Sequence, residues 1–374
     1  FYMPGSTAIV NSRAVTQKET GGHDTLVSSS SFSYAEGSNR DRSTFTTPCG
    51  QIKYEFLGIG KNVTDAWEVG LLESKEIRGG GLLLQREELT WERGAPISNQ
   101  PYTTGTRQDS KVWVPLLGRR VVTREGETFT TENDYTTTNF NDFGRPFRIV
   151  ETGDRTRTTT FTFDYAFNSS VYIKDKVKSE TLAGLTKSYQ YDDATGFKTS
   201  ESIYGVATTF GRDAFGNVSQ VTDALNRRTH FTYDWGVLEN TVTMLYTIQR
   251  AINKSGTVSS ATRRGLQTTF DYDTRFRITK IDPSLGNDFV YTYDNTNGRW
   301  IQLTRGASFT RTDLDGFGRP SATSNAVGVK TDTNYDACGR VSYQGYPFVG
   351  TANKGTSFQY DALGRMTLRR HPDL

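Results

Sequence analysis

The chain is short of most residues from which catalytic and metal chemistry is built. Of 374 residues, two are cysteine, three histidine and three methionine. Cys49 and Cys338 lie far apart, form no CxxC pair and show no metal-ligand spacing, which excludes a disulfide framework. One bridge between them remains open, and two free thiols are the expectation. His23, His230 and His371 are remote from one another in sequence, and each is expected to be structural or solvent-facing. No apolar run reaches the roughly 18 residues of a membrane-spanning helix. The net charge is only +3, and no block of like charge exceeds the pair Arg369-Arg370. That leaves no electrostatic footprint for nucleic acid or an anionic membrane. No basic and then apolar leader follows Phe1. A chain that starts there and stops at Leu374, just past a repeat turn, reads as a segment of something longer.

The familiar catalytic motifs are missing as well. Gly58-Ile59-Gly60 and Gly79-Gly80-Gly81 lack the strand-turn-helix setting and the lysine of phosphate loops. Neither a Gly-x-Ser-x-Gly elbow nor His-Glu-x-x-His occurs. Asp192-Asp193, and Asp313 with Asp315, could pair as glycosidase carboxylates. They sit at repeat turns, and turn chemistry accounts for them better. The reading is therefore a non-enzyme with no cofactor.

Aromatic residues, in contrast, make up 12% of the chain, which argues against disorder. Residues 1–50 form a polar N-terminal segment in which Ser28–Ser31 and Thr44–Pro48 read as loops or short edge strands. Residues 51–138 are β-rich: Ile52, Tyr54 and Phe56 alternate with Lys53 and Glu55 at a period of two. Gly79-Gly80-Gly81 makes a turn, a Pro- and Gly-bearing loop covers Gly94 to Gly105, and strands are expected over Val112–Val122 and Thr128–Thr138. A helix over Leu71–Glu88 is disfavoured by the glycine triplet inside it.

Residues 139–374 carry an internal repeat, the feature that sets the whole fold when present. Asp294, Asp315 and Asp336 are 21 residues apart, as are Asp192, Asp213 and Asp234. Around them recurs an aromatic-Asp-x-x-Gly-Arg unit: Asn141, Gly144 and Arg145; Asp192 with Gly196; Asp213 with Gly216; Asp234; Asp273; Asp294, Gly298 and Arg299; Asp315, Gly318 and Arg319; Asp336, Gly339 and Arg340; Asp361, Gly364 and Arg365. Phe163-Asp164 reads as a further anchor, and Asn253–Gly256 as a worn copy. Phe276 occupies the glycine position of the Asp273 copy. A second turn follows about ten residues later, as at Asp223–Arg227, Asp282–Asn287 and Asn325–Gly328. Two turns per repeat leave two strands of about six residues, one β-hairpin and too little for a βαβ unit. In each turn the Asp can accept backbone N–H groups, the Gly supplies positive φ, and the Arg can meet an acidic neighbour. The rings of Phe289, Tyr291 and Tyr293 share one face and are expected to pair with rings on adjacent strands.

These copies, best seen in Tyr335-Asp336-Ala337-Cys338-Gly339-Arg340 and Tyr360-Asp361-Ala362-Leu363-Gly364-Arg365, resemble the YD repeat of Rhs proteins. That family includes bacterial polymorphic toxins, the C components of Tc toxin complexes, wall-associated relatives and the teneurins. The resemblance covers residues 139–374 and, more loosely, 51–138, making that stretch continuous with the repeats. It implies an all-β array of hairpins, a single curved antiparallel sheet forming an arc of a spiral shell. It also implies a structural role, enclosing a C-terminal toxin cargo for delivery in competition between cells. The implied partners are the remainder of its own chain (further repeats, a plug and a toxin tail), with a carrier or immunity protein. The implied location is secreted or at the cell surface. The alternative within the family is an adhesion or carbohydrate-binding module whose partners are surface glycans.

Overall fold

The computed structural model describes residues 12–18, 24–35, 40–58, 66–98, 102–104, 107–109, 112–135, 145–168, 171–294, 296, 299–351 and 354–372. Among them all regular structure is β except the short 3-10 turn Ala66–Glu68. Each named pairing below is antiparallel, as expected where strands of five to eight residues are joined by tight turns. The residues group into two compact units. The first comprises 1–189, 193–196 and 360–367; the second comprises 190–192, 197–359 and 368–374.

In the first unit the polar N-terminus is not a set of loops. Ser12–Lys18, Asp24–Ala35, Arg40–Thr47 and Gly50–Leu57 pair in succession. Ser28–Ser31 and Thr44–Thr47 thus lie inside paired strands. Leu72–Gly79 follows and pairs with Leu82–Ser98 across a turn in which Gly80 and Gly81 have φ of 58° and 83°. The stretch from Gly94 to Ser98, read as loop, continues that strand. Pro96 faces Trp113, with a register shift on each side. Bulges of this kind let a strand accept a proline that donates no ladder hydrogen bond. Val112–Arg124, Glu127–Asp134, Arg148–Thr152, Thr156–Asn168, Val171–Leu182 and Leu185–Tyr191 complete the run. Phe163-Asp164 is not a turn. It lies within Thr156–Asn168, beside two register shifts.

In the second unit, hairpins succeed one another from Lys198–Ile203 to Gly355–Tyr360. Two strands make each repeat. Alternation is visible in Phe289–Tyr293, where the three aromatic positions are half-buried and Val290 and Thr292 are exposed.

Very little is sequestered. Among the described residues only Leu57, Leu116 and Tyr135 are buried hydrophobics, and no side chain is fully buried. With so few buried apolar side chains, the described strands do not draw their stability from a dry core. Their cohesion must come from ladders, turns and contacts along their faces. The cysteines differ from expectation too: Cys49 and Cys338 are disulfide-bonded and not free thiols.

Candidate functional site

The recurring structure is the Asp-capped turn. At Asp315 the backbone N–H donates to Arg319 O at 2.8 Å, and Gly318 N–H donates to Asp315 O at 2.9 Å. Oδ1 of Asp315 accepts the N–H groups of Phe317 and Arg319, each at 2.9 Å. Oδ2 takes Nε of Arg319 at 2.7 Å. Gly318 has φ of 78°, the left-handed conformation that glycine adopts without strain. One carboxylate thereby holds two orphan donors and its own arginine.

The same turn closes at Asp213–Asn217, Asp273–Arg277, Asp336–Arg340 and Asp361–Arg365. Gly216, Gly339 and Gly364 occupy the positive-φ position. Arg340 and Arg365 each place Nε 2.7 Å from their own aspartate. In the Asp213 copy Asn217 replaces the arginine, and its side-chain amide donates to Asp213 Oδ2 at 3.0 Å. The Asp273 copy is not defective: Phe276 takes φ of 59° and its N–H still reaches Asp273 O at 3.0 Å. Asp223–Arg227, read from sequence as a second kind of turn, has this geometry as well, with Asn226 at φ of 58°. Asn253–Thr257 and Asn325–Val329 close the same backbone bonds.

Three predicted positions differ. Asp192 N–H bonds to Phe197 O, so that turn is one residue longer, with Gly196 at φ of 70°. Asp294 N–H bonds to Trp300 O, while its carboxylate accepts the N–H groups of Thr296 and Arg299. Asp234 heads no capped turn. It ends a strand and faces Val237 across a two-residue turn in which Trp235 and Gly236 have φ of 52° and 76°. Trp235-Gly236 supplies the paired positive φ that a type I′ hairpin demands, and that local geometry displaces the longer turn. Asn141, Gly144 and Gly298 lie outside the described residues; Arg145 is exposed.

The electrostatics follow from the capping. Burial tends to push the Asp315 carboxyl up. The hydrogen bonds from Arg319 and the adjacent N–H groups outweigh it and hold the group below its ordinary range. The same balance holds for Asp336 and Asp361. For Asp273 the leading cause is the backbone N–H of Arg277, and again the shift is downward.

In four copies the tyrosine before the Asp fastens neighbouring strands. Tyr233 donates its hydroxyl to Val218 O at 2.9 Å, and Tyr272 to Val258 O, Tyr293 to Ile278 O and Tyr335 to Pro320 O, each at 2.8 Å. Every acceptor is the first residue after the Asp- or Asn-headed turn two turns back along the chain, as Ile278 is after Asp273–Arg277. The arginine of that turn then lies on the same ring: Arg277 is 4.1 Å from the Tyr293 centroid, and Arg319 is 4.0 Å from that of Tyr335. The expected ring-on-ring pairing is thus replaced, at these positions, by guanidinium on ring. Arg305 on Phe289, Arg263 on Tyr246 and Arg311 on Trp300 extend the pattern. The motif order advertised an aromatic and an arginine, but not that they belong to one contact across repeats.

Other chemistry-bearing groups are engaged structurally. Nδ1 of His371 lies 3.0 Å from the Tyr346 hydroxyl and 3.2 Å from that of Thr356; His230 is exposed on its strand and His23 lies outside the described residues. In the first unit a cleft contains Arg93, Arg119, Glu132, Tyr135 and Arg148. Arg148 pairs with Asp134 at 2.8 Å, and the Tyr135 hydroxyl donates to Leu117 O at 3.1 Å. Burial, aided by the charge of Glu92, pushes that phenol up. Among the described residues no group of histidine, cysteine and acid side chains is arranged to hold a metal.

No protein-family model and no curated protein matches the chain. Among solved structures it is similar to the Photorhabdus luminescens Tc holotoxin pore containing a TccC3 mutant, at a TM-score of 0.49 and 12% identity, over 91% of this chain and 22% of that one. It is also similar to TcdB2–TccC3 without the hypervariable C-terminal region, at 0.44 and 11%, over 96% of this chain and 24% of that one. For TcdB2–TccC3–Cdc42 the values are 0.40 and 11%, over 96% and 23%. The chain spans less than a quarter of the length of each of these. Its own repeats define the class: an all-β array of antiparallel hairpins closed by Asp-capped turns.

Proposed function

We propose that this chain is a non-catalytic wall segment of a larger Rhs-type protein, and that the wall encloses a C-terminal toxin cargo for delivery between cells. The observation that carries the reading is the repeated fastening of each turn to the next repeat, as in Arg277–Tyr293–Ile278. It makes a thin sheet mechanically continuous without a core, which is what a wall needs and a catalytic domain does not. The aspartates and arginines that could do chemistry are spent on capping turns. The partners on this reading are the rest of the same chain and, beyond it, a carrier or immunity protein; the setting is secretion or the cell surface.

The test uses the complete gene product with its downstream region. A protease added to the folded protein should leave the downstream region intact and should degrade it after the wall is opened with denaturant. Immediate degradation in the folded protein, together with binding on a glycan array, would overturn enclosure in favour of a surface-adhesion module.

A further inference from the structure

One turn of the repeat type meets hairpin tips from the beginning of the chain. Residues 360–367 belong to the first compact unit. There Ala362 sits where a Cβ on Gly50 would come within 2.7 Å of its own Cβ, and a Cβ on Gly79 within 2.8 Å. Arg365, already 2.7 Å from Asp361, also places Nη2 2.6 Å from Glu125 Oε1. Gly50 starts the strand after one hairpin turn and Gly79 ends the strand before the next. Glu125 lies in the turn joining Val112–Arg124 to Glu127–Asp134, with φ of 55°. These are neighbouring tips on one edge, since Gln51 faces Arg78 and Gln85 faces Arg124.

We propose that the Gly50–Gly79–Glu125 edge is a docking site for an Asp-Ala-x-Gly-Arg turn, filled in this chain by Asp361–Arg365. The recognition is steric and electrostatic. Gly50 and Gly79 let the methyl group of the residue after Asp approach the edge, and Glu125 calls for a cation four residues on from the Asp. Thr274 sets the Asp273 turn apart on the first count and Asn217 the Asp213 turn on the second, whereas the Asp336 turn, with Ala337 and Arg340, meets both. The exposed ion pair contributes little by itself, so the fit at Ala362 dominates. The inference holds whether or not the array encloses anything.

A size exchange in the full chain tests it. Gly79→Ala introduces the methyl group that meets Ala362. Leu84 Cδ1, 3.0 Å from the same point, is the far end of a flexible side chain and can give way. Ala362→Gly removes the opposing methyl and keeps the turn, because Gly316 already fills the equivalent position at Asp315. The readout is the rate of trypsin cleavage after Arg365 in the native protein, with cleavage elsewhere as an internal control. Gly79→Ala should raise that rate about tenfold by populating the undocked state. The double variant should return it to the level of Ala362→Gly alone, the coupling that contacting residues show. Glu125→Gln should raise the rate by a smaller factor. Equal cleavage in wild type and Gly79→Ala, or a double variant no better than Gly79→Ala, would overturn the proposal.

Discussion

The guanidinium of Arg319 lies 4.0 Å from the centroid of the Tyr335 ring, while its Nε is 2.7 Å from Asp315. One arginine therefore closes its own turn and grips the next repeat. Arg319→Ala should lose both functions and cost about 2 kcal/mol. Arg319→Lys should recover only part, since lysine lacks the planar fork that stacks and pairs at once. Denaturant unfolding of the two variants checks the order wild type, then Lys, then Ala.

The tyrosine side of the joint is separable. Tyr293→Phe keeps the ring beneath Arg277 and removes only the hydroxyl that Ile278 O accepts. The expected loss is about 1 kcal/mol. A double-mutant cycle of Tyr293→Ala, which does remove the ring, with Arg277→Ala should show coupling between the two residues. Additive effects would mean that ring and guanidinium act independently.

The glycine position invites opposite substitutions. Phe276 holds a left-handed backbone at φ of 59° with its ring largely exposed, so Phe276→Gly should stabilise by about 1 kcal/mol. Gly339→Val should destabilise by more than about 1 kcal/mol, because it strains a φ of 83°. Its Cβ would also fall 2.9 Å from Nη1 of Arg319. Thermal midpoints moving in opposite directions would support both assignments.

That pair of residues shows what could be read from the sequence. The Asp-to-Arg turn is local chemistry, so its residues announce it, and the strand on either side follows from a period of two. Phe276 looked like damage because sequence shows a preference for glycine and not the strain a tight ladder can impose. The arginine-on-ring contacts were invisible because they depend on which face two strands share. The N-terminal strands were hidden by their serine and threonine, which carry no apolar alternation when neither face is buried. The bonded state of Cys49 and Cys338 was missed because two cysteines without a surrounding motif carry no pairing signal in the sequence.

Acid should loosen the molecule in a defined direction. Glu55 is pushed up by burial, but hydrogen bonds from Lys53 and Arg42 dominate and bring it down to about 2. Asp315, Asp336 and Asp361 are lowered likewise. A group whose folded pKa is depressed stabilises the fold fully above its unfolded value and loses that contribution as pH falls through the folded one. Stability should hold down to about pH 5, then fall progressively toward about pH 2. Glu55→Gln should flatten part of that dependence, as followed by thermal unfolding against pH.

The most direct measurement is electron cryomicroscopy of the intact gene product that contains this segment. The account predicts that its hairpins form one stretch of a continuous β-strip wrapped around internal density that belongs to the downstream part of the same chain. An open strip with no enclosed density, or a downstream part standing free outside it, would contradict the proposed role.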